Sequence, residues 1–264
     1  MSPKTVVVAG GTDGMGRATA LARHERGDRV LVIGSNAEKG RTLPSGVEFL
    51  PADLSSGAAV REVLGELNAR LTSLDALVLC ANRVSPARRE TAEGLEYTFA
   101  LYFLARHRLA EGLRPVLEAA PRPVIVNVGG VGVTKGEIAW NDLQLRAGYS
   151  MVRAQLQAGR LNDLLGAGYS GKARYVLYHP GFTDSGDRTP LSAPLRVALG
   201  LLARVAARPV AESAAPIVAL VDDPPAAQLT ALDRGRTLPP SLPTLDPAAA
   251  ARLRAVVDGL HRTA

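Results

Sequence analysis

The stretch Thr5-Val6-Val7-Val8-Ala9-Gly10-Gly11-Thr12-Asp13-Gly14-Met15-Gly16 decides how this chain is read. A short apolar, β-branched run reads as a strand, and the glycine-rich turn after it opens a helical pattern at about 15 to 26. Gly10, Gly14 and Gly16 stand in a G-x-x-x-G-x-G spacing. Without Cβ atoms they let the backbone turn tightly and approach a diphosphate, to which the amides at the helix start donate. Thr12, Asp13 and Met15 complete the candidate phosphate turn, although Thr12 and Asp13 serve local capping equally well.

Working outward, strand-like runs recur at about 4 to 9, 28 to 33, 47 to 50, 74 to 81, 123 to 130 and 173 to 179. Helical patterns at about 15 to 26, 57 to 73, 92 to 117 and 142 to 165 alternate with them. That order predicts an α/β fold: a single-domain, Rossmann-like, doubly wound parallel sheet with helices on both faces, spanning 1–264. Its ligand belongs beyond the carboxyl ends of the strands. Further helices at 195 to 207 and 210 to 221 suggest a substrate cover over 182–222, and a proline-rich run at 239 to 247 precedes a last helix at 247 to 260, within a C-terminal extension over 239–264.

The formal charge of +6 is spread among acids and Ala-rich helices, so no nucleic-acid partner is expected, and an anionic cofactor accounts for a local positive field. One cysteine, Cys80, excludes an internal disulfide and sits in an apolar run that favours core packing. Four histidines without zinc-ligand spacing predict no metal site. Neither an export signal nor a long apolar span is visible, so no membrane association and a cytoplasmic location are expected.

The second strand, Arg29 to Ile33, ends in Gly34-Ser35-Asn36 with no acid to accept ribose hydroxyls and repel a 2'-phosphate. This favours NADP, as NADPH, over NAD, with Ser35, Asn36, Arg17 and Lys39 near that end. Asp53, followed by Leu54, either accepts the adenine amino hydrogen or caps the next turn.

These features, with Ala81-Asn82 after the fourth strand and His179-Pro180-Gly181 after the sixth, resemble the short-chain dehydrogenase/reductase superfamily over nearly the whole chain. The length, the insertion before Gln155 and the tail Asp233-Arg234-Gly235-Arg236 look most like its retinol-dehydrogenase and WW-domain-oxidoreductase branch. The resemblance implies a serine after the fifth strand, a Tyr-x-x-x-Lys pair on the next long helix and an asparagine on the preceding one. Here Gly130, Gln155, Gly159 and Tyr102 stand at those places, so the usual tetrad is absent. Tyr102, Gln155 and Tyr149 are the candidates for chemistry, although Tyr149 matches a non-catalytic tyrosine of the branch. Arg83, Tyr102, Gln155, Phe182 and Asp184 are the candidate substrate contacts, with Thr183, Ser185 and Asp187 nearby. The implied duty of His179 is to shape the cofactor turn.

Three functions stay open on the sequence. The first is an atypical NADPH-dependent ketoreductase of a polycyclic or aromatic, polyketide-like molecule, with direct hydride transfer and a proton from water or a substrate hydroxyl. The second is a non-redox cyclase, dehydratase or isomerase in the same pocket. The third is a non-catalytic nucleotide-binding or scaffold protein. A homodimer or tetramer is the expected assembly by resemblance.

Overall fold

A computed structural model describes residues 2–132, 136–183, 193 and 207–263. Its centre is one sheet of eight strands in the order β3-β2-β1-β4-β5-β6-β7-β8. The strands are β1 (Thr5–Ala9), β2 (Arg29–Gly34), β3 (Val47–Pro51), β4 (Ala76–Leu79), β5 (Val124–Val128), β6 (Arg174–His179), β7 (Leu229–Asp233) and β8 (Arg236–Thr237). All pairings are parallel except that of β7 with β8.

Because neighbouring side chains on a strand point to opposite faces, the apolar runs feed two cores. Val6, Val8, Val30, Val32, Val78 and Val126 face one layer. Helices α1 (Gly14–Glu25) and α7 (Val210–Asp222) cover it, α1 through Ala20 and α7 through Ile217 and Val221. Buried Arg23 of α1 pairs with Asp28 and with Asp222 of α7, fastening the two helices. Val7, Leu31, Leu77, Leu79, Ile125 and Leu177 face the other layer. There lie α3 (Gly57–Arg70), α4 (Ala105–Gly112), α5 (Arg114–Ala119), α6 (Met151–Ala167) and α8 (Pro247–Thr263), while α2 (Ala37–Arg41) packs by β3.

The doubly wound parallel sheet is thus present with helices on both faces, and strand order reverses between β1 and β4. That reversal opens a crevice at the carboxyl ends of both strands, which positions the candidate site.

Three local expectations are corrected. Strands β7 and β8 were not expected: of β7 only Ala231 is buried and β8 is an exposed two-residue edge strand, so neither leaves apolar periodicity to read. The helix expected over 92 to 117 begins instead with a π-helical segment, Phe99–Leu104, and continues as α4 and α5. Buried Glu96 sets its start, accepting from the backbone N–H groups of Thr98 at 2.8 Å and Phe99 at 2.7 Å. The helix expected over 142 to 165 begins only at Met151, because Asp142 closes a turn by accepting from Arg146 N and Ala147 N, and Gly148 takes φ +64°. Ser150 then caps α6. The helix expected over 210 to 221 is α7 and the one over 247 to 260 is α8. That expected over 195 to 207 lies, apart from its last residue, outside the described residues.

Candidate active site

The glycine turn between β1 and α1 is fixed by close backbone approaches. Gly10 has φ +81°, and a Cβ there would lie 2.6 Å from the Ala81 backbone; one on Gly16 would lie 2.1 Å from the Gly10 carbonyl oxygen. Asp13 caps α1, accepting from Gly14 N at 2.8 Å. No side chain larger than hydrogen fits at Gly10 or Gly16, and the turn leaves the start of α1 open towards a cleft of about 570 Å³. A backbone cradle at a helix N-terminus suits a diphosphate, so these residues fit a dinucleotide.

The cleft brings together most of the sequence candidates. Gly10, Thr12, Asp13, Gly14, Met15 and Gly16 line one end; Ser35, Asn36, Asp53 and Leu54 the adjacent wall; Ala81, Asn82, Arg83, Tyr102 and Pro180 the far side. Lys39 also lines it and pairs with Asp13 across the mouth. Arg17 instead donates to Thr42 Oγ1 at 3.0 Å and Thr42 O at 2.9 Å. Asn36 caps α2 by accepting from Lys39 N, and Asp53 accepts from Ser55 N and Oγ. Gly181 takes φ +84° against Arg234, just past the lining residue Pro180, and Phe182 is 45% exposed. Asp184, Ser185 and Asp187 lie outside the described residues.

At the other end of the cleft, Gly129 and Gly130 follow β5, and Tyr102 fills the space beside them. Its hydroxyl lies 3.1 Å from where a Cβ on Gly129 would stand. Gln155 on α6 reaches the cleft through Asn82 in a reciprocal amide pair, with Asn82 Nδ2 donating to Gln155 Oε1 at 2.9 Å and Gln155 Nε2 donating back at 3.3 Å. The pair carries no ionisable proton near neutral pH. Tyr149 donates its hydroxyl to Ser85 O at 2.7 Å, which ties it to the loop after β4. His179 faces Asp233 at 2.7 Å, and Thr183 Oγ1 lies 2.9 Å from Ser213 Oγ. Apolar surroundings push the Cys80 thiol up to about 12, so it stays protonated.

Behind this end lies a buried polar chain. Arg106 of α4 is 1% exposed and donates to Asn127 Oδ1, to Val128 O at 2.7 Å and to Ala81 O at 2.9 Å. Asn127 Nδ2 donates to Asn162 Oδ1 at 2.9 Å, and Asn162 Nδ2 donates to Tyr102 O at 2.8 Å. The last bond explains how the π-helical segment survives: widening the turn withdraws carbonyls from the ordinary helical ladder, and Asn162 serves one of them. The Arg106 guanidinium carbon lies 4.6 Å from the centre of the Tyr102 ring.

Comparison with known proteins agrees with this architecture. A family model described as short chain dehydrogenase matches residues 4–141. The chain belongs to that family. Among curated relatives, it is 29% identical over 168 residues to human "Polyprenol dehydrogenase", covering 59% of this chain and 51% of that protein. It is 31% identical over 190 residues to "Putative daunorubicin C-13 ketoreductase DnrU" of Streptomyces sp. (strain C5), covering 67% of this chain and 65% of that one. The matched stretch spans about half the length of the first curated relatives. A solved structure, the Pseudomonas aeruginosa RhlG/NADP active-site complex, superposes with a TM-score of 0.67 at 20% identity, covering 89% of this chain and 96% of that one; at that identity the likeness is one of fold.

Family membership makes this an oxidoreductase fold whose cleft is built for a nicotinamide cofactor. The residues that sequence reading passed over are Arg106, Asn127 and Asn162. A partial signal for the first was present: Arg106 follows the apolar run Phe99 to Ala105 directly, four residues after Tyr102 and so on its helix face. Nothing local to Asn127 or Asn162 marks them, because their partners come from other elements. Among the described residues no group of His, Cys, Asp and Glu is arranged to hold a metal ion, and no helix is long and apolar enough to cross a membrane.

Proposed function

We propose that this chain is an NADPH-dependent ketoreductase acting on an aromatic or polycyclic, polyketide-like ketone. The observation that carries the reading is the continuity of one cleft from the glycine turn to Tyr102, Gly129 and Gly130. A dinucleotide lying along it spans from phosphate cradle to reaction end. Similarity to the protein named "Putative daunorubicin C-13 ketoreductase DnrU" supports the reading of a ketone substrate.

NADPH is favoured over NADH by the Gly34-Ser35-Asn36 wall, which has no carboxylate to repel a 2'-phosphate, and by Lys39 beside it. When bound, the reduced nicotinamide supplies a hydride to the carbonyl carbon. The residues of the chain orient the ketone and govern the proton. By family resemblance Gln155 and Gly159 occupy the places of the usual tyrosine and lysine, so the proton comes from another donor: a cleft water, a substrate hydroxyl or Tyr102. Asn82 and Arg83 line the cleft, which supports their holding an acidic or phenolic substrate.

The test pairs binding with turnover. Titration with NADPH and NADH should show tighter binding of NADPH, and aromatic ketones should consume it with formation of the alcohol. Product formed after complete removal of nucleotide would establish the non-redox reading instead, and binding without turnover across a broad ketone panel would favour a nucleotide-binding protein.

A further inference from the structure

We propose that Arg106 is a positioning residue that supplies the positive charge serving Tyr102 as the site's proton donor, the two forming a buried Tyr-x-x-x-Arg pair. The proposal rests on the ketoreductase reading above and identifies its donor.

The argument begins with a charge in a costly place. Arg106 is 1% exposed, its guanidinium cannot lose its proton near neutral pH, and its hydrogen-bond acceptors are an amide oxygen and two main-chain carbonyls. No carboxylate pairs with it among the described residues, and its Nε has no hydrogen-bond partner there. A buried cation left without a counter-charge is destabilising, whereas a leucine or methionine would fill the same helical position without that cost. Two of its acceptors, Ala81 and Val128, are cleft-lining residues, so the charge sits directly behind the reaction end.

Tyr102 both touches the charge and lines the cleft. Its ring lies 4.6 Å from the guanidinium carbon, and its hydroxyl lies at Gly129. A neutral ring is attracted weakly by such a cation; the phenolate left after proton transfer is attracted far more. Arg106 therefore stabilises the deprotonated donor more than the protonated one. The buried chain Arg106–Asn127–Asn162–Tyr102 carbonyl holds both ends of the pair in place.

Other charged and titratable groups around the pair are Asp163 of α6, which faces Tyr102, and Cys80 just after β4 and Tyr175 of β6, which face Arg106; His179 lines the cleft. Burial holds the Tyr102 phenol above its usual value while Arg106 pulls it back. At neutral pH the donor is therefore loaded with its proton. In the step itself the Tyr102 O–H bond breaks and its proton passes to the ketone oxygen to form the alcohol O–H, while the hydride for the carbonyl carbon is what a bound reduced nicotinamide would supply. A proton taken up from bulk solvent and relayed by water in the cleft then returns the phenolate to the phenol, so that each alcohol formed consumes one solvent proton.

A purely structural Arg106 would tie β4 to β5 and do nothing to Tyr102. The test uses the full chain with Tyr102→Phe, Arg106→Gln and Arg106→Lys. Phenolate absorbance is titrated without nucleotide or substrate, and the Tyr102 signal is isolated by subtracting the matching Tyr102→Phe background. Arg106→Gln should move the Tyr102 midpoint upward and lower kcat about tenfold or more with the Kd for NADPH little changed. Tyr102→Phe should lower kcat about 10²-fold or more. If Arg106→Gln does not fold, Arg106→Lys carries the test: deprotonation of the buried lysine on raising pH should lift the Tyr102 midpoint and cut kcat where the wild type is unaffected. An unmoved Tyr102 midpoint, or full turnover by Tyr102→Phe, overturns the proposal. A wild-type chain that binds NADPH but reduces no ketone overturns the ketoreductase reading and Tyr102 as its donor, while the titration still decides whether Arg106 tunes Tyr102.

Discussion

The cofactor end of the cleft is made of backbone, with Gly10 and Gly16 packed so closely against Ala81 and against each other that no Cβ fits. The reaction end is made of buried side chains, where Arg106, Asn127, Asn162 and Tyr102 come from α4, β5, α6 and the π-helical segment and are joined by hydrogen bonds. The first depends on a local spacing and tolerates almost no change at its glycines. The second depends on long-range assembly, and its chemistry is set by which polar groups happen to share one buried space. The glycine turn and the buried polar chain thus depend on different parts of the sequence, so a change in one need not disturb the other.

The largest expected effect tests the backbone end. Gly16→Ala places a Cβ 2.1 Å from the Gly10 carbonyl oxygen, so the turn must open. Nucleotide binding measured by fluorescence should be lost, with destabilisation of about 3 kcal/mol or more in denaturant unfolding. Retained binding would show that the backbone approach is not what makes the cradle.

The next concerns pH at the side-chain end. Asp163 of α6 is 1% exposed, accepts from Gly132 N at 3.3 Å, and lies 3.6 Å from Arg160; burial pushes it up to about 6. Since the folded-state value exceeds the ordinary one of 3.8, protonation stabilises the native state. That stability is fully present below about pH 4 and is lost as pH rises through about 6, amounting to about 3 kcal/mol. Asp163→Asn should abolish this component and raise stability near neutral pH relative to wild type. Parallel pH–stability curves for the two would remove Asp163 from the account.

Asn162→Ala should be smaller. It strips the partner from the Tyr102 carbonyl and from Asn127, costing about 2 kcal/mol in denaturant unfolding. Turnover should fall further than nucleotide affinity, because the cradle lies at the other end. Equal losses of both would blur the division between the two ends.

Lys39→Ala should be the mildest. Lys39 is 44% exposed and already paired with Asp13, so a 2'-phosphate competes for a solvent-screened cation. NADPH affinity should drop about threefold to fivefold while NADH affinity changes little. An equal effect on both cofactors would exclude Lys39 from 2'-phosphate recognition.

Much of the glycine-turn wall was legible in the sequence because each candidate there is placed by its own strand end, as Ser35 and Asn36 are by β2 and Asp53 by β3. The reaction end was legible in position but not in wiring. Tyr102 could be placed near it, yet the bond joining Gln155 to Asn82 and the tie from Tyr149 to Ser85 link residues far apart along the chain. Strand β7 and the late start of α6 were hidden for a related reason: one has little buried periodicity, and the other follows a turn closed by Asp142.

By itself the sequence determined the alternation of strand and helix, the glycine spacing that forces a phosphate turn, and the absence of an acid after β2, since each follows from residues adjacent in the chain. Only the tertiary structure decided that Arg106 lies buried beside Tyr102 with two asparagines holding the pair. The physical reason is that a buried polar group needs partners in three dimensions, and which elements provide them is settled when sheet and helices pack.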